Sequence, residues 1–397
     1  MKSVVNLVLL VGLSAVTLAA DKDLKVGWAD KVVIASEDGT IRLEIGGRIH
    51  NDWAFMGSDQ AIQDPFGNLE DGVEFRRARI HIGGELYRHT EFRIQYDFSS
   101  GEAEARDVYL GFKDIPVLGG VRIGQFKEPF GLEELTSSND IPFMERSLMN
   151  ALAPSRQTGI MLHNSGAGDA LNWAGGVFRE SDDTGTGTGD NNYSLTGRIS
   201  GSPWYADEGR RLLHLGFSAS YRSVDDQVVR FSTRPEAHLA PTFLDTGLIG
   251  ADSYQLQGVE GAVQLGSFSL QSELSRASVD RLAGSGADFQ GFYLQGSFVL
   301  TGEHRSYKRS SGAFGTVKPR NNFMNGSGGL GAWETSIRFS RLDLNDQEIV
   351  GGIQEDITLG LNWYLHPNLR IMWNYVHADL ESVGDADIFQ MRFQVNF

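Results

Sequence analysis

The sequence predicts an all-β protein, a 16-stranded antiparallel transmembrane β-barrel, on three observations. A secretory leader opens the chain. Strand-length segments alternate apolar and polar residues down to the final phenylalanine. Charged side chains stand in the middle of those strands rather than at their ends.

The leader is Met1 to Ala20. Lys2 supplies the positive start, Val4 to Leu18 are apolar apart from Asn6, Ser14 and Thr17, and Thr17-Leu18-Ala19-Ala20 lead into Asp21. That order is the pattern of a signal peptide over 1–20, cut after Ala19 or Ala20. The apolar run is short for a membrane helix, and no later run approaches about 20 residues. Residues 21–40 read as a short periplasmic lead-in and 41–397 as the barrel.

Composition narrows the possibilities. The full chain has 35 basic and 51 acidic residues; removing Lys2 with the leader leaves 34 against 51, a net −17. Such an excess argues against a nucleic-acid partner. The absence of cysteine leaves no disulfide framework and no thiolate metal site. With 48 Gly, 10 Pro and 23 Phe, the chain suits an extensive sheet.

The last segment is the clearest strand. Phe389, Met391, Phe393, Val395 and Phe397 alternate with Gln390, Arg392, Gln394 and Asn396. Strand side chains alternate faces, so one side is apolar and the other polar. The pattern recurs backwards: Ile371 and Trp373 against Arg370 and Asn374, Ile337 and Phe339 against Arg338, Phe92, Ile94 and Tyr96 against Arg93, Gln95 and Asp97. In hydrocarbon every backbone group must pair within the sheet, so the sheet must close, with lipid outside and water inside. Sixteen spans fit: 41–55, 73–87, 90–100, 103–113, 118–127, 158–165, 169–179, 193–201, 211–222, 254–265, 267–277, 289–301, 331–343, 353–365, 367–380 and 386–397. That many strands leave an aqueous bore. Ser181–Asn192, Val224–Asp252, Ser278–Asp288 and Tyr307–Gly331 read as long polar loops. Trp53, Phe55, Tyr87, Trp363, Tyr364 and Tyr375 are candidates for aromatic girdles at the membrane faces.

Enzyme chemistry finds little support. No His pair brackets a glutamate at helical spacing, and the Thr184–Gly189 repeat lacks the context of a phosphate loop. His163-Asn164-Ser165 lie on one strand and point to alternating faces. No catalytic residue, cofactor or metal is assigned. A surface adhesin with a plugged bore is the remaining non-transport class.

The segment Gly124 to Ser138, with Gln125-Phe126-Lys127-Glu128-Pro129-Phe130-Gly131, followed by Phe143-Met144-Glu145-Arg146-Ser147, resembles the signature of the phosphate-selective porin O and P family. Gly46-Gly47-Arg48, Phe75-Arg76-Arg77-Ala78, Leu300-Thr301-Gly302-Glu303 and Gly331-Ala332-Trp333-Glu334 follow the family order over most of the mature chain. The resemblance implies an outer-membrane homotrimer, delivered to the assembly machinery by the terminal Phe397, with residues 128–157 folded inward as a constriction loop. It implies passive transport of anions such as phosphate or polyphosphate. The family's anion-holding arginines match Arg48, Arg76, Arg77 and Arg146. Strand parity puts Arg48 and Arg77 on the polar face, while Arg76 reaches it only through a bulge. Glu134 and Glu145 stand beside these arginines as acidic modulators; Glu134 occupies a place where the selective members carry lysine. That departure favours a less selective pore as the alternative.

Overall fold

The structure is a computed structural model and describes residues 24–324, 326 and 328–397; the leader falls outside these residues. Sixteen strands form the barrel: β1 (Ile41–Ser58), β2 (Gly72–Leu86), β3 (Thr90–Asp97), β4 (Glu104–Ile115), β5 (Gly119–Lys127), β6 (Arg156–Gly166), β7 (Leu171–Arg179) and β8 (Tyr193–Ala206). Then follow β9 (Arg211–Ser223), β10 (Ile249–Leu265), β11 (Phe268–Arg281), β12 (Ala287–Val299), β13 (Ala332–Asp346), β14 (Ile349–His366), β15 (Leu369–Leu380) and β16 (Gly384–Asn396). Each pairs antiparallel with the next. β16 closes on β1, from Ala386 opposite Ser58 to Asn396 opposite Arg48. Closure leaves the barrel wall without an edge, as a lipid-embedded sheet requires.

The alternation falls as the sequence predicts. On β16, Phe389 and Phe393 are 41% and 45% exposed on the outside, while Gln390, Arg392 and Gln394 are buried within. All sixteen expected segments are strands. Several run further toward the long-loop end than the pattern indicates; β10 begins at Ile249 and β14 at Ile349. The reason is an inversion of faces. On β15 Val376, Ala378 and Leu380 point inward and are buried, whereas Tyr375 and Asp379 point out. Here the interior is dry. Helix α1 (Gln60–Phe66) contributes Ile62, residues 128–155 contribute Phe130, Leu148 and Leu152, and residues 224–248 contribute Phe231, Phe243 and Leu244 to one apolar cluster with the wall. Above the hydrocarbon the outside is wet, so the greasy and polar faces exchange roles.

Two features at the short-turn end depart from the sequence reading. Leu24–Trp28 and Val32–Ser36 form a hairpin whose second strand pairs with β1, Val32 opposite Ile45. The segment read as a long polar loop, Tyr307–Gly331, joins β12 to β13 at the turn end. The paired strands Arg305–Lys308 and Ala313–Val317 lie across its start. Tyr307 meets Phe314 edge-on at 5.4 Å and hydrogen-bonds His214 of β9 at 2.6 Å. Because His214 is on the inner face, this hairpin enters the bore. Tyr364 is a further correction: it is 3% exposed and its hydroxyl donates to Glu334 at 2.7 Å, so it is an interior residue and not part of an aromatic girdle.

Candidate functional site

The interior is built around residues 128–155, between β5 and β6. Gly131 takes a positive φ of 68°, a conformation glycine adopts without strain. It turns the chain into a short helix, Leu132–Leu135. The amides of Leu132 and Glu133 both donate to the carboxylate of Glu273 on β11 at 2.7 Å. Further along, the carbonyls of Ile141 and Pro142 accept from Arg370 on β15 and Asn362 on β14 at 2.9 and 2.8 Å. Arg338 on β13 donates to Glu133 at 3.1 Å and to the carbonyl of Glu145 at 3.0 Å. These partners are inner-face side chains on the wall opposite β5 and β6.

Arg76 reaches the interior by the bulge that parity demands. His50 pairs with Arg77 and Asn51 with Phe75, leaving Arg76 as the extra residue. Its guanidinium donates to both oxygens of Glu145, at 2.9 and 3.0 Å, a charge-assisted fork. Arg77 is 5% exposed and lies 3.9 Å from the same carboxylate. Its Nε and Nη1 have no hydrogen-bond partner among the described residues. Arg48 donates to the hydroxyls of Ser138 and Ser137 at 3.0 and 3.5 Å, and no carboxylate pairs with it among the described residues. Arg146 is committed to the loop itself. It donates to the carbonyls of Glu133, Glu134 and Thr136, each at 3.1 Å, and pairs with the Glu134 carboxylate at 3.2 Å.

The two acids are equally committed. Glu134 pairs with Lys127 at 3.1 Å as well as with Arg146. Burial opposes its ionisation, yet Arg146 and Lys127 bring its pKa below the usual carboxylate value. Burial likewise works against Glu145, and Arg76, Arg77 and Arg392 outweigh it, holding the group well below the ordinary range. Glu133 goes the other way: burial raises its pKa despite Arg338. The four arginines therefore fall into two kinds. Arg76 and Arg146 have their donors spent on protein; Arg48 and Arg77 keep donors to spare.

The structure also gathers cations that the sequence reading did not assign to the site. A cavity of about 1140 Å³ opens toward the turn end and is lined by Arg48, Arg77 and Arg146 together with Arg79, Arg93, Arg122, Lys127, Arg156 and Lys308. Some are partly neutralised, as Arg79 by Asp97 at 2.6 Å and Arg156 by Asp107 at 2.9 Å. Inward parity was the signal that could have found Arg79, Arg93 and Arg122; Lys308, on the turn-end hairpin, has no such signature.

A closed barrel with an apolar exterior and a cation-lined aqueous interior is an outer-membrane channel of the porin class. The model of the phosphate-selective porin O and P family matches residues 43–397, and the chain belongs to that family. It is 27% identical to porin O of Pseudomonas aeruginosa, over 94% of this chain and 93% of that one. An uncharacterised protein of Caulobacter vibrioides is 27% identical over 93% of this chain and 75% of its own length. Among solved structures, an anion-selective porin from Comamonas acidovorans superposes with a TM-score of 0.57 at 15% identity, covering 89% of this chain and 99% of that one. A loop-deletion form of OmpT from Vibrio cholerae superposes at 0.56 and 13%, covering 90% of this chain and 100% of that one. At these identities the structural likeness is one of fold.

Proposed function

We propose that this porin passes small anions, phosphate and short polyphosphates among them, by passive diffusion through a bore narrowed by residues 128–157, and that Arg48 and Arg77 hold the anion in transit. The observation that carries the proposal is the cavity itself: Arg77 and Arg48, the latter paired with no carboxylate among the described residues, both line it, and most of the charged side chains around it are cationic. Guanidinium keeps its charge and presents the planar fork that oxyanions accept. Arg76 and Arg146 shape the loop that presents these donors, and Glu145 and Glu134 hold them in place. No cofactor, metal or reaction is part of this role.

A general, weakly selective pore is the second reading, and a specific observation favours it. Glu145 and Glu134 offset Arg76, Arg77 and Arg146 at short range, and a carboxylate in a bore opposes anion entry. Reversal potentials in a salt gradient, with phosphate titrated into chloride, separate the two. Block of chloride current at low phosphate supports the selective pore. Weak anion preference without block supports the general one, and cation preference removes both.

The protein is further proposed to work as a homotrimer inserted through recognition of Phe397, with 1–20 removed and 21–40 on the periplasmic side. Strands β3 to β7, at 8 to 12 residues, form a lower stretch of wall than β13 and β14, at 15 and 18, and suit burial against neighbouring copies.

A further inference from the structure

The barrel wall has a step where it closes. β16 pairs with β1 only as far as Asn396 opposite Arg48, whereas β1 begins at Ile41, which pairs with Leu86 of β2. The hairpin of Leu24–Trp28 and Val32–Ser36 takes the place beside this stretch of β1, from Val32 opposite Ile45 to Ala35 opposite Arg42. It is tied to the turns on either side. The Asn368 side chain donates to the carbonyl of Asp30 at 3.0 Å, and Arg88 donates to that of Asp38 at 2.6 Å. The amide of Tyr87 donates to the carbonyl of Thr40 at 2.6 Å. The hairpin therefore stands level with the short turns that edge the wall.

Its two faces repeat the rule of the wall. Trp28 pairs with Val32, which pairs with Ile45; Val26 pairs with Ile34, which pairs with Leu43. Side chains on one rung of a sheet share a face, and Ile45, like Ile49, is on the apolar exterior. Leu24, Val26, Trp28, Val32 and Ile34 thus form an outward apolar patch continuous with the exterior of β1. Val26 is 72% and Trp28 65% exposed. The opposite face carries Lys25, Gly27, Val33 and Ala35. Asp30 and Lys31 of the hairpin's turn line the aqueous cavity, and Lys31 pairs with Glu44 of β1. A contiguous apolar patch left in water marks a surface that something else covers. A tryptophan at the end of a transmembrane wall suits the headgroup layer, where the ring is buried and its N–H stays wet.

We propose that the outer face of this hairpin is a lipid-contact surface: Leu24, Val26 and Trp28 enter the phospholipid headgroup layer on the turn side and cover the step between β16 and β1. The patch is continuous with wall that already faces hydrocarbon, which assigns it to lipid. Strands β3 to β7, the wall suited to neighbouring copies, are separated from it by β1 and β2. The inference is independent of which ion the bore passes.

The test exploits a chain without cysteine. Leu24→Cys, Val26→Cys and Trp28→Cys on the outer face, and Lys25→Cys and Gly27→Cys on the inner, are each labelled with an environment-sensitive fluorophore in the mature full-length protein. The variants are reconstituted into vesicles of phosphatidylethanolamine and phosphatidylglycerol. Quenching by a lipid with a nitroxide high on its acyl chain is compared with quenching by iodide present on both sides of the membrane. Positions 24, 26 and 28 should be quenched by the nitroxide lipid at least about two-fold more than 25 and 27, and the order should reverse for iodide. A second arm needs no cysteine: the difference in tryptophan emission between wild type and Trp28→Phe should shrink in dibrominated lipid.

Iodide quenching at 26 and 28 equal to that at 25 and 27 would overturn the proposal, because the hairpin would then stand in solvent. Protection of 26 and 28 from both quenchers would overturn it too; disulfide formation between copies of the Trp28→Cys variant would then assign the patch to a second protomer. Where a cysteine variant loses the folded gel form, the Trp28→Phe comparison decides alone, and an emission difference untouched by dibrominated lipid would overturn the assignment.

Discussion

At the scale of single residues, the division among the four arginines makes distinct predictions. Arg77 keeps two unpartnered donors, so its removal should subtract anion attraction without unpairing a loop carbonyl. Two unit charges 4 Å apart interact by about 1 kcal/mol even at the dielectric of water. Arg77→Ala should therefore weaken phosphate block by at least ~5-fold, and Arg48→Ala should act similarly, both read from chloride current against phosphate concentration. Arg146→Ala is different in kind. It releases three carbonyls of the loop and leaves Glu134 with Lys127, so channel noise and conductance should rise along with the loss of selectivity. An Arg146→Ala channel with quiet wild-type conductance would show that the ties to the loop carbonyls do not set the bore.

Acid response also belongs to this scale. Glu145 has its folded pKa held below the usual value by Arg76, Arg77 and Arg392 against the effect of burial. A carboxylate with a depressed folded pKa contributes stability that is present above its unfolded pKa and is lost only as pH falls through the lower folded value. Glu145 should therefore stay ionised from about pH 7 to 5, above the ordinary glutamate range, and Glu145→Gln should leave the pH response of the conductance over that window as it is in the wild type. A response in that window that Glu145→Gln abolishes would mean that Glu145 does not hold the loop as an ion pair.

At the scale of elements, the strands were legible and the interior was not, for a physical reason. Alternation with period two is local, and lipid on one side with water on the other makes it strong. The bulge at Arg76 was legible as a condition: two adjacent arginines cannot both face inward on a regular strand. Strand ends were missed where inner loops replace water, because Val376, Ala378 and Leu380 then face in. The contacts that hold 128–155 join residues far apart in sequence, as Arg392 to Glu145 at 2.8 Å, and no local pattern encodes them. Arg338 shows the cost of this. It reads as one more mid-strand charge, yet it is 1% exposed and joins Glu133 of one inner loop to Glu236 of another. Arg338→Ala strands two buried carboxylates, a loss of about 3–5 kcal/mol when one partner of a buried pair is removed. The expected outcome is a barrel that still inserts but whose inner loops become susceptible to protease, with larger, noisier single-channel currents; wild-type protease resistance would show that neither loop depends on this arginine.

At the scale of the whole molecule, the wall and its contents are separable. The wall closes by backbone pairing from β1 round to β16, and these rungs join wall strands to one another. The hairpin of Arg305–Lys308 and Ala313–Val317 enters from the turn end and rests on the wall through Tyr307 on His214 and through Arg198, which donates to the carbonyls of Ser311 and Gly312 at 3.3 and 2.9 Å. Its apolar cluster is small: Leu132, Leu212, Ala262, Tyr307 and Phe314. Replacing 305–317 by a short glycine-serine turn should therefore leave heat-modifiable migration in detergent gels intact, since that reports the closed wall. Conductance should increase, because a segment is withdrawn from the aqueous path. Anion preference should fall only partly, since Lys308 leaves the cavity while Arg48, Arg77 and Arg93 remain on the wall. Loss of the folded gel form in this variant would mean that the hairpin is needed to complete the barrel, and the separation of wall from contents would not hold.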